Sequence, residues 1–290
     1  MNTPTPIASP KFLRLFAVTC LLSFAARAAI IVDSFDDSGV IDPGTGNATG
    51  SFNYTNNSNF MVVTVGMGAK NGGIDNAEFT TPSVSYGGDA LSSAYVHTAD
   101  HGFSFIFYLS NPKTGENSLS VDFGKVLDPD NNTDRFQFGA LSLSNVDLAN
   151  PVALSYGSTP IDAGNHDVLS DPDLNSGDFL VWGMDAINSV DNPNYEVGGT
   201  DAATQDGTSM TVFYEVLGDN GGSGRSQSLY HVLTAGDFDV NGDVLVDAFS
   251  SRSSSLDGGV VFNVIPEPGT LTLTLMALVG CITLGTRRRG

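Results

Sequence analysis

Cysteine is almost missing from this 290-residue chain: only Cys20 and Cys281 are present, one near each end. The long stretch between them has no disulfide and no thiolate metal site, so core burial or bound ions must stabilise it. Positive charge is scarce too, with 12 Lys and Arg against 32 Asp and Glu and a net charge of −20. Half of the basic residues (Lys11, Arg14, Arg27, Arg287, Arg288 and Arg289) fall outside 29–268, whereas every acidic residue falls inside it. A surface that acidic repels phosphate backbones, which excludes nucleic acid as a partner. Also missing are His-Glu-x-x-His, Gly-x-Ser-x-Gly and a phosphate-cradling loop, so no local motif marks an enzyme. Abundant glycine (33 residues) and 41% hydrophobic content still allow a packed core.

The first 28 residues have a polar start with Lys11 and Arg14, then an apolar run from Leu15 to Ala25 and a closing Ala26-Arg27-Ala28. That three-part layout is a secretory signal peptide, expected to be cleaved between Ala28 and Ala29. At the other end, Ile265-Pro266-Glu267-Pro268 precedes an uncharged run, Gly269–Thr286, and then Arg287-Arg288-Arg289-Gly290. As a helix that run spans roughly 27 Å, just enough to cross the hydrocarbon of a bilayer. The three arginines should stay cytoplasmic and leave the acidic body outside. The prolines keep a helix from extending upstream.

Together, Pro266-Glu267-Pro268, the apolar helix and the arginine cluster resemble the PEP-CTERM sorting signal of Gram-negative bacteria. The resemblance covers 265–290. It implies export, a transient inner-membrane anchor, and processing near the Pro-Glu-Pro by an exosortase-type membrane protease. Release to the cell surface or to an exopolysaccharide-rich extracellular matrix would follow. Thr272, Thr274 and Thr283 make this tail less apolar than many of its kind.

Between the ends, 29–264 reads as strands. Phe103, Phe105, Phe107 and Leu109 alternate with Ser104, Ile106, Tyr108 and Ser110, and Leu119, Val121 and Phe123 repeat the period of two. Turn clusters such as Asn71-Gly72-Gly73 and Asn111-Pro112-Lys113-Thr114-Gly115 separate such runs. The expected fold is all-β, a single antiparallel β-sandwich of jelly-roll-like form. The succession Phe60–Val65, Ser83–Gly88, Tyr108–Pro112, Ser118–Phe123 and Leu141–Pro151 resembles a sandwich domain recurrent in secreted bacterial proteins of adhesin-like architecture. That resemblance implies fold rather than activity.

Three Asp-x-Asp-x-Asn loops are the candidate sites: Asp128–Asp134, Asp171–Asp178 and Asp237–Asp243. Alternating oxygen ligands on a tight loop suit Ca²⁺. In the third, Asp237, Asp239, Asn241 and Asp243 with Gly242 come closest to a calcium loop, although its twelfth position is Ala248. The same composition also makes ion-free turns, Asn241-Gly242 being a favoured hairpin pair. His97 and His101 flank Asp100 at a spacing that would pair them only on a helix, and here they read as a strand end and turn. Trp182 alternates with Leu180 and Met184, which assigns it to the core rather than to a sugar platform. The sequence thus points to a structural or adhesive surface protein without catalysis. A carbohydrate-binding module is the competing class, and a polysaccharide hydrolase the third.

Overall fold

The computed structural model describes residues 28–43, 47–68, 81–99, 102–124, 135–157, 166–187, 194–198, 207–217, 224–249 and 255–265. Of the expected signal peptide, residues 1–27 lie outside them, as do the expected sorting motif and tail helix from Pro266 onward and the Asp128–Asp134 loop. Ala29–Val264 forms one compact unit. Among the described residues no helix is long and apolar enough to cross a membrane.

The first nine strands are β1 (Ile31–Asp37), β2 (Thr49–Asn56), β3 (Phe60–Gly68), β4 (Ser83–Tyr86), β5 (Asp89–Ala90), β6 (Ser92–Ala99), β7 (Gly102–Ser110), β8 (Gly115–Asp122) and β9 (Arg135–Ser144). The next nine are β10 (Val152–Gly157), β11 (His166–Leu169), β12 (Phe179–Ile187), β13 (Asn194–Val197), β14 (Thr208–Ser209), β15 (Thr211–Leu217), β16 (Gly224–Val232), β17 (Val244–Phe249) and β18 (Ser255–Phe262). The all-β class is as expected. The strands, however, form four antiparallel sheets where a single sandwich would have two.

Those sheets come in two matching pairs. β1-β9-β3-β7-β6 and β2-β8-β4-β5 build the first half; β10-β18-β12-β16-β15 and β11-β17-β13-β14 build the second. Adding nine to each strand number of the first half reproduces the second, so among the described residues the body is one nine-strand sandwich occurring twice. Register agrees as well as order. Phe60 pairs with Leu143 and Ser110, and Phe179 pairs with Phe262 and Val232. A bulge interrupts β6 between Ser93 and Tyr95 and β15 between Val212 and Tyr214. A second bulge lies between Val32 and Ser34 in β1 and between Val152 and Leu154 in β10. Bulges are positional features of a strand pair, so matched bulges point to common design rather than coincidence. The spacing Gly102-x-Ser104-x-x-x-Tyr108 recurs on the matching strand as Gly224-x-Ser226-x-x-x-Tyr230.

The four sheets stack as outer, inner, inner, outer. One apolar cluster fills the first repeat, where Tyr54, Val84 and Leu119 of the outer sheet meet Val63, Phe105 and Phe138 of the inner. Another fills the second, where Leu169, Val197 and Val246 meet Leu180, Trp182 and Val261. The third lies between repeats and joins Phe60, Val62 and Leu141 to Phe179, Val181 and Phe262. Inner strands away from the sheet edges are therefore buried on both faces. From Phe136 to Leu143, β9 has no exposed residue at all.

The inner sheets approach closely. Cα atoms of β3 and β16 come within 8 Å, as do those of β12 and β7, of β9 and β15, and of β18 and β6; packed sheets usually sit about 10 Å apart. Exchanging the repeats turns each of these contacts into its mate, which is the pattern of a two-fold axis. Small residues permit the approach. A methyl group on Gly66 would overlap Ser226 Oγ, one on Gly183 would overlap Ser104 Oγ, and one on Gly258 would overlap the Tyr95 hydroxyl.

Candidate functional site

The Asp171–Asp178 loop is a structural knot. The backbone N–H of Asp173 donates to Asp171 Oδ1 at 2.8 Å, an Asx turn. Asp178, only 1% exposed, accepts from the Asn175 N–H at 2.7 Å and from the Val264 N–H at 2.8 Å. Beside it the Ile30 N–H donates to the Gly177 carbonyl at 2.9 Å, and the Leu233 N–H to the Asp178 carbonyl at 2.8 Å. One dipeptide thus ties down both ends of the compact unit, at Ile30 and Val264.

The third loop follows β16. A 3-10 turn at Ala235–Asp237 carries Asp237 into the interior, 3% exposed. Its carboxylate accepts from the Thr234 N–H at 2.6 Å and from Thr234 Oγ1 at 3.0 Å, and lies 3.0 Å from His231 Nε2. Burial alone would raise its pKa, but the bonds from His231 and Thr234 outweigh burial and hold it below the usual carboxylate value. Asp239 is exposed and closes its own hairpin. Its Oδ1 accepts the N–H groups of Asn241 (2.7 Å) and Asp243 (2.9 Å), and its Oδ2 accepts Asn241 Nδ2 at 3.0 Å. The Asp243 N–H is the main cause that lowers its pKa, with Asn241 adding to it.

Asp237 and Asp239 therefore point their oxygens at different neighbours. Among the described residues no three His, Cys, Asp or Glu side chains are grouped closely enough to hold a metal ion. Beside the loop opens a cleft of ≈410 Å³ lined by Gly198, Asp237, Phe238, Asp239, Val240 and Leu245. Gly198 adopts φ +80°, and a methyl group there would strike the Asp237 backbone, so β13 ends pressed against the 3-10 turn. Gly87 occupies the same place in the first repeat, φ +56°. There the corner holds Lys113, whose Nζ donates to the Gly87 carbonyl at 2.5 Å and lies 3.3 Å from Asp89 Oδ2.

Trp182 is fully buried and stacks on Tyr156 with centroids 6.0 Å apart. Tyr54 and Tyr86 are interior as well, their rings edge-on at 6.2 Å. Tyr54 serves a polar network in which its hydroxyl meets Ser142 Oγ at 2.7 Å, and Ser142 Oγ donates to Asn56 Oδ1 at 2.6 Å. Burial raises the Tyr54 hydroxyl pKa despite these bonds. His101 and the side chain of His97 lie outside the described residues. Sequence reasoning missed two ties, His231 to Asp237 and Asp178 to Val264. Only the first had a local signal, the Thr234-x-x-Asp237 spacing that lets an acidic side chain reach back to the turn's opening N–H. Neither family models nor curated proteins give a match to this chain.

Proposed function

We propose that the chain is an exported protein of the cell surface or extracellular matrix, with a structural or adhesive role and no catalysis, sorted by a PEP-CTERM tail. On this reading 1–28 is a signal peptide cut between Ala28 and Ala29. The tail anchors the precursor in the inner membrane with Arg287, Arg288 and Arg289 on the cytoplasmic side, and an exosortase-type protease acts near Pro266-Glu267-Pro268. The observation that carries most weight is the end of the body. Val264 is buried and bonded to Asp178, whereas the next residue, Ile265, is 43% exposed. The compact unit thus ends at Val264, two residues before Pro266, which supports a cleavage site placed next to the body rather than within it.

A stack of two sandwiches with filled cores also suits a rigid display or spacer module. Within each repeat, the strand orders β1-β9-β3-β7 and β2-β8-β4-β5 and their counterparts support a jelly-roll-like winding with one added edge strand, β6 or β15. To test sorting, Pro266-Glu267-Pro268 is replaced by alanines and the cells are fractionated. Export should persist, with the variant held at the inner membrane. Its arrival at the outer surface at normal size and level would refute the sorting role. A glycan array on the secreted protein decides between a structural protein and a carbohydrate-binding module: tight, selective exopolysaccharide binding would favour the latter.

A further inference from the structure

The two-fold relation between the repeats makes their contact isologous, meaning that the same patch is used on both sides. The matched residues Ser226 and Ser104 each face a glycine of the opposite inner sheet, Gly66 and Gly183, which stand two positions apart in the matched register. Tyr95 and Tyr214 are matched residues just past matched bulges. Each repeat also encloses an apolar cluster of its own, so parting them opens only the central one. The connection from Ser144 to Val152 buries Val146 in the central cluster, where it bridges to Val264, and is exposed at Ala149 and Asn150. Polar bonds hold the rest: the Asp147 N–H to the Asn263 carbonyl, the Asn263 N–H to the Pro151 carbonyl, and Asn263 Nδ2 to the Asn150 carbonyl at 2.8 Å.

We propose that this face is a self-complementary docking surface that a second copy of the chain can fill, the first repeat of one molecule pairing with the second repeat of another. The proposal rests on the structural reading above and names its partner. Pairing within or between molecules makes the same contacts and differs only in the path of the connection. The balance is then set by effective concentration, on the order of millimolar for a short connection. Crowding on a surface moves it toward exchange, and successive exchanges would link molecules into chains.

The test uses the full chain with Cys20→Ser and Cys281→Ser, which leaves no other thiol. A Cβ on Gly66 would lie 3.2 Å from Ser226 Cβ, within a few tenths of an ångström of the roughly 3.5–4.5 Å that a disulfide needs. Gly66→Cys and Ser226→Cys are made in separate chains, mixed at high concentration, unfolded and refolded together under oxidising conditions. A disulfide-linked heterodimer is expected in the mixture and in neither variant alone. The double variant Gly66→Cys/Ser226→Cys should close the bond within one chain. Closure there with no linked dimer in the mixture would refute docking between molecules. Failure of the double variant to close would refute the face itself. Either failure leaves the sorting reading intact, because that is judged by the Pro-Glu-Pro variant.

Discussion

Removing the Asp178 carboxylate with Asp178→Ala strands two backbone donors at once, those of Asn175 and Val264. An unsatisfied buried N–H costs about 1–3 kcal/mol. The Asn175 bond is only partly buried, so water recovers part of its share; Val264 is 3% exposed and its bond is fully buried. The sum is about 2–4 kcal/mol, and at roughly 2–4 °C per kcal/mol for a domain of this size the melting point should fall by about 4–16 °C. Asp178→Asn keeps one acceptor oxygen and should lose about half as much. Hydrogen exchange adds a local readout. About 2 kcal/mol lost at the Val264 amide corresponds to roughly thirtyfold faster exchange, measurable in a peptide covering β18 and Val264. An alanine variant that melts within a degree of the parent, or an asparagine variant no better than alanine, would refute this role.

Asp237 gives a pH prediction. Its pKa is lower in the folded state than its ordinary value, so its contribution is fully present above about pH 4 and lost as pH falls through the folded value. Asp237→Asn should flatten the acid limb of the stability curve and cost about 1–3 kcal/mol at neutral pH; an unchanged acid limb, read by denaturant melts from pH 2 to 7, would sink this. For calcium, the Asp239 carboxylate already accepts the N–H groups of Asn241 and Asp243 and the Asn241 side-chain amide, which leaves a cation few open oxygen positions. CaCl2 and NaCl matched in ionic strength should therefore shift the melting point alike, whereas a calcium-specific rise abolished by Asp239→Ala would favour the metal site.

Strand content was legible because period two is a local signal, but layering was not. Phe103, Phe105 and Phe107 do share a face, as their alternation implied. Ile106, on the opposite face, was not solvent-facing; it enters the core between repeats. An apolar residue on the second face is the mark of a strand buried on both sides, and one such residue among serines is easily passed over. The duplication stayed hidden for a related reason. Matched residues survive at turns and at the contact between repeats (Gly87 with Gly198, Ser104 with Ser226, Tyr95 with Tyr214), whereas several core positions have changed chemistry. Phe105 of β7 corresponds to buried Gln227 of β16, and Ser142 of β9 to Val261 of β18. In the two described acidic loops the carboxylates bond the chain itself, Asp178 and Asp237 from the interior and Asp239 at the surface, which spacing alone cannot foretell.

The place of β18 in its sheet has a mechanical consequence. It lies between β10 and β12, bonded on both flanks, and the chain leaves the body two residues after it. A pull applied at Ile265 is therefore directed along a central strand and loads both ladders of backbone bonds in shear, many at a time, rather than peeling an edge strand bond by bond. The Val264 tie to Asp178 and its bridge to Val146 must slip first. A body tethered by its C-terminal end would thus resist drag through a strand that its second repeat holds on both sides.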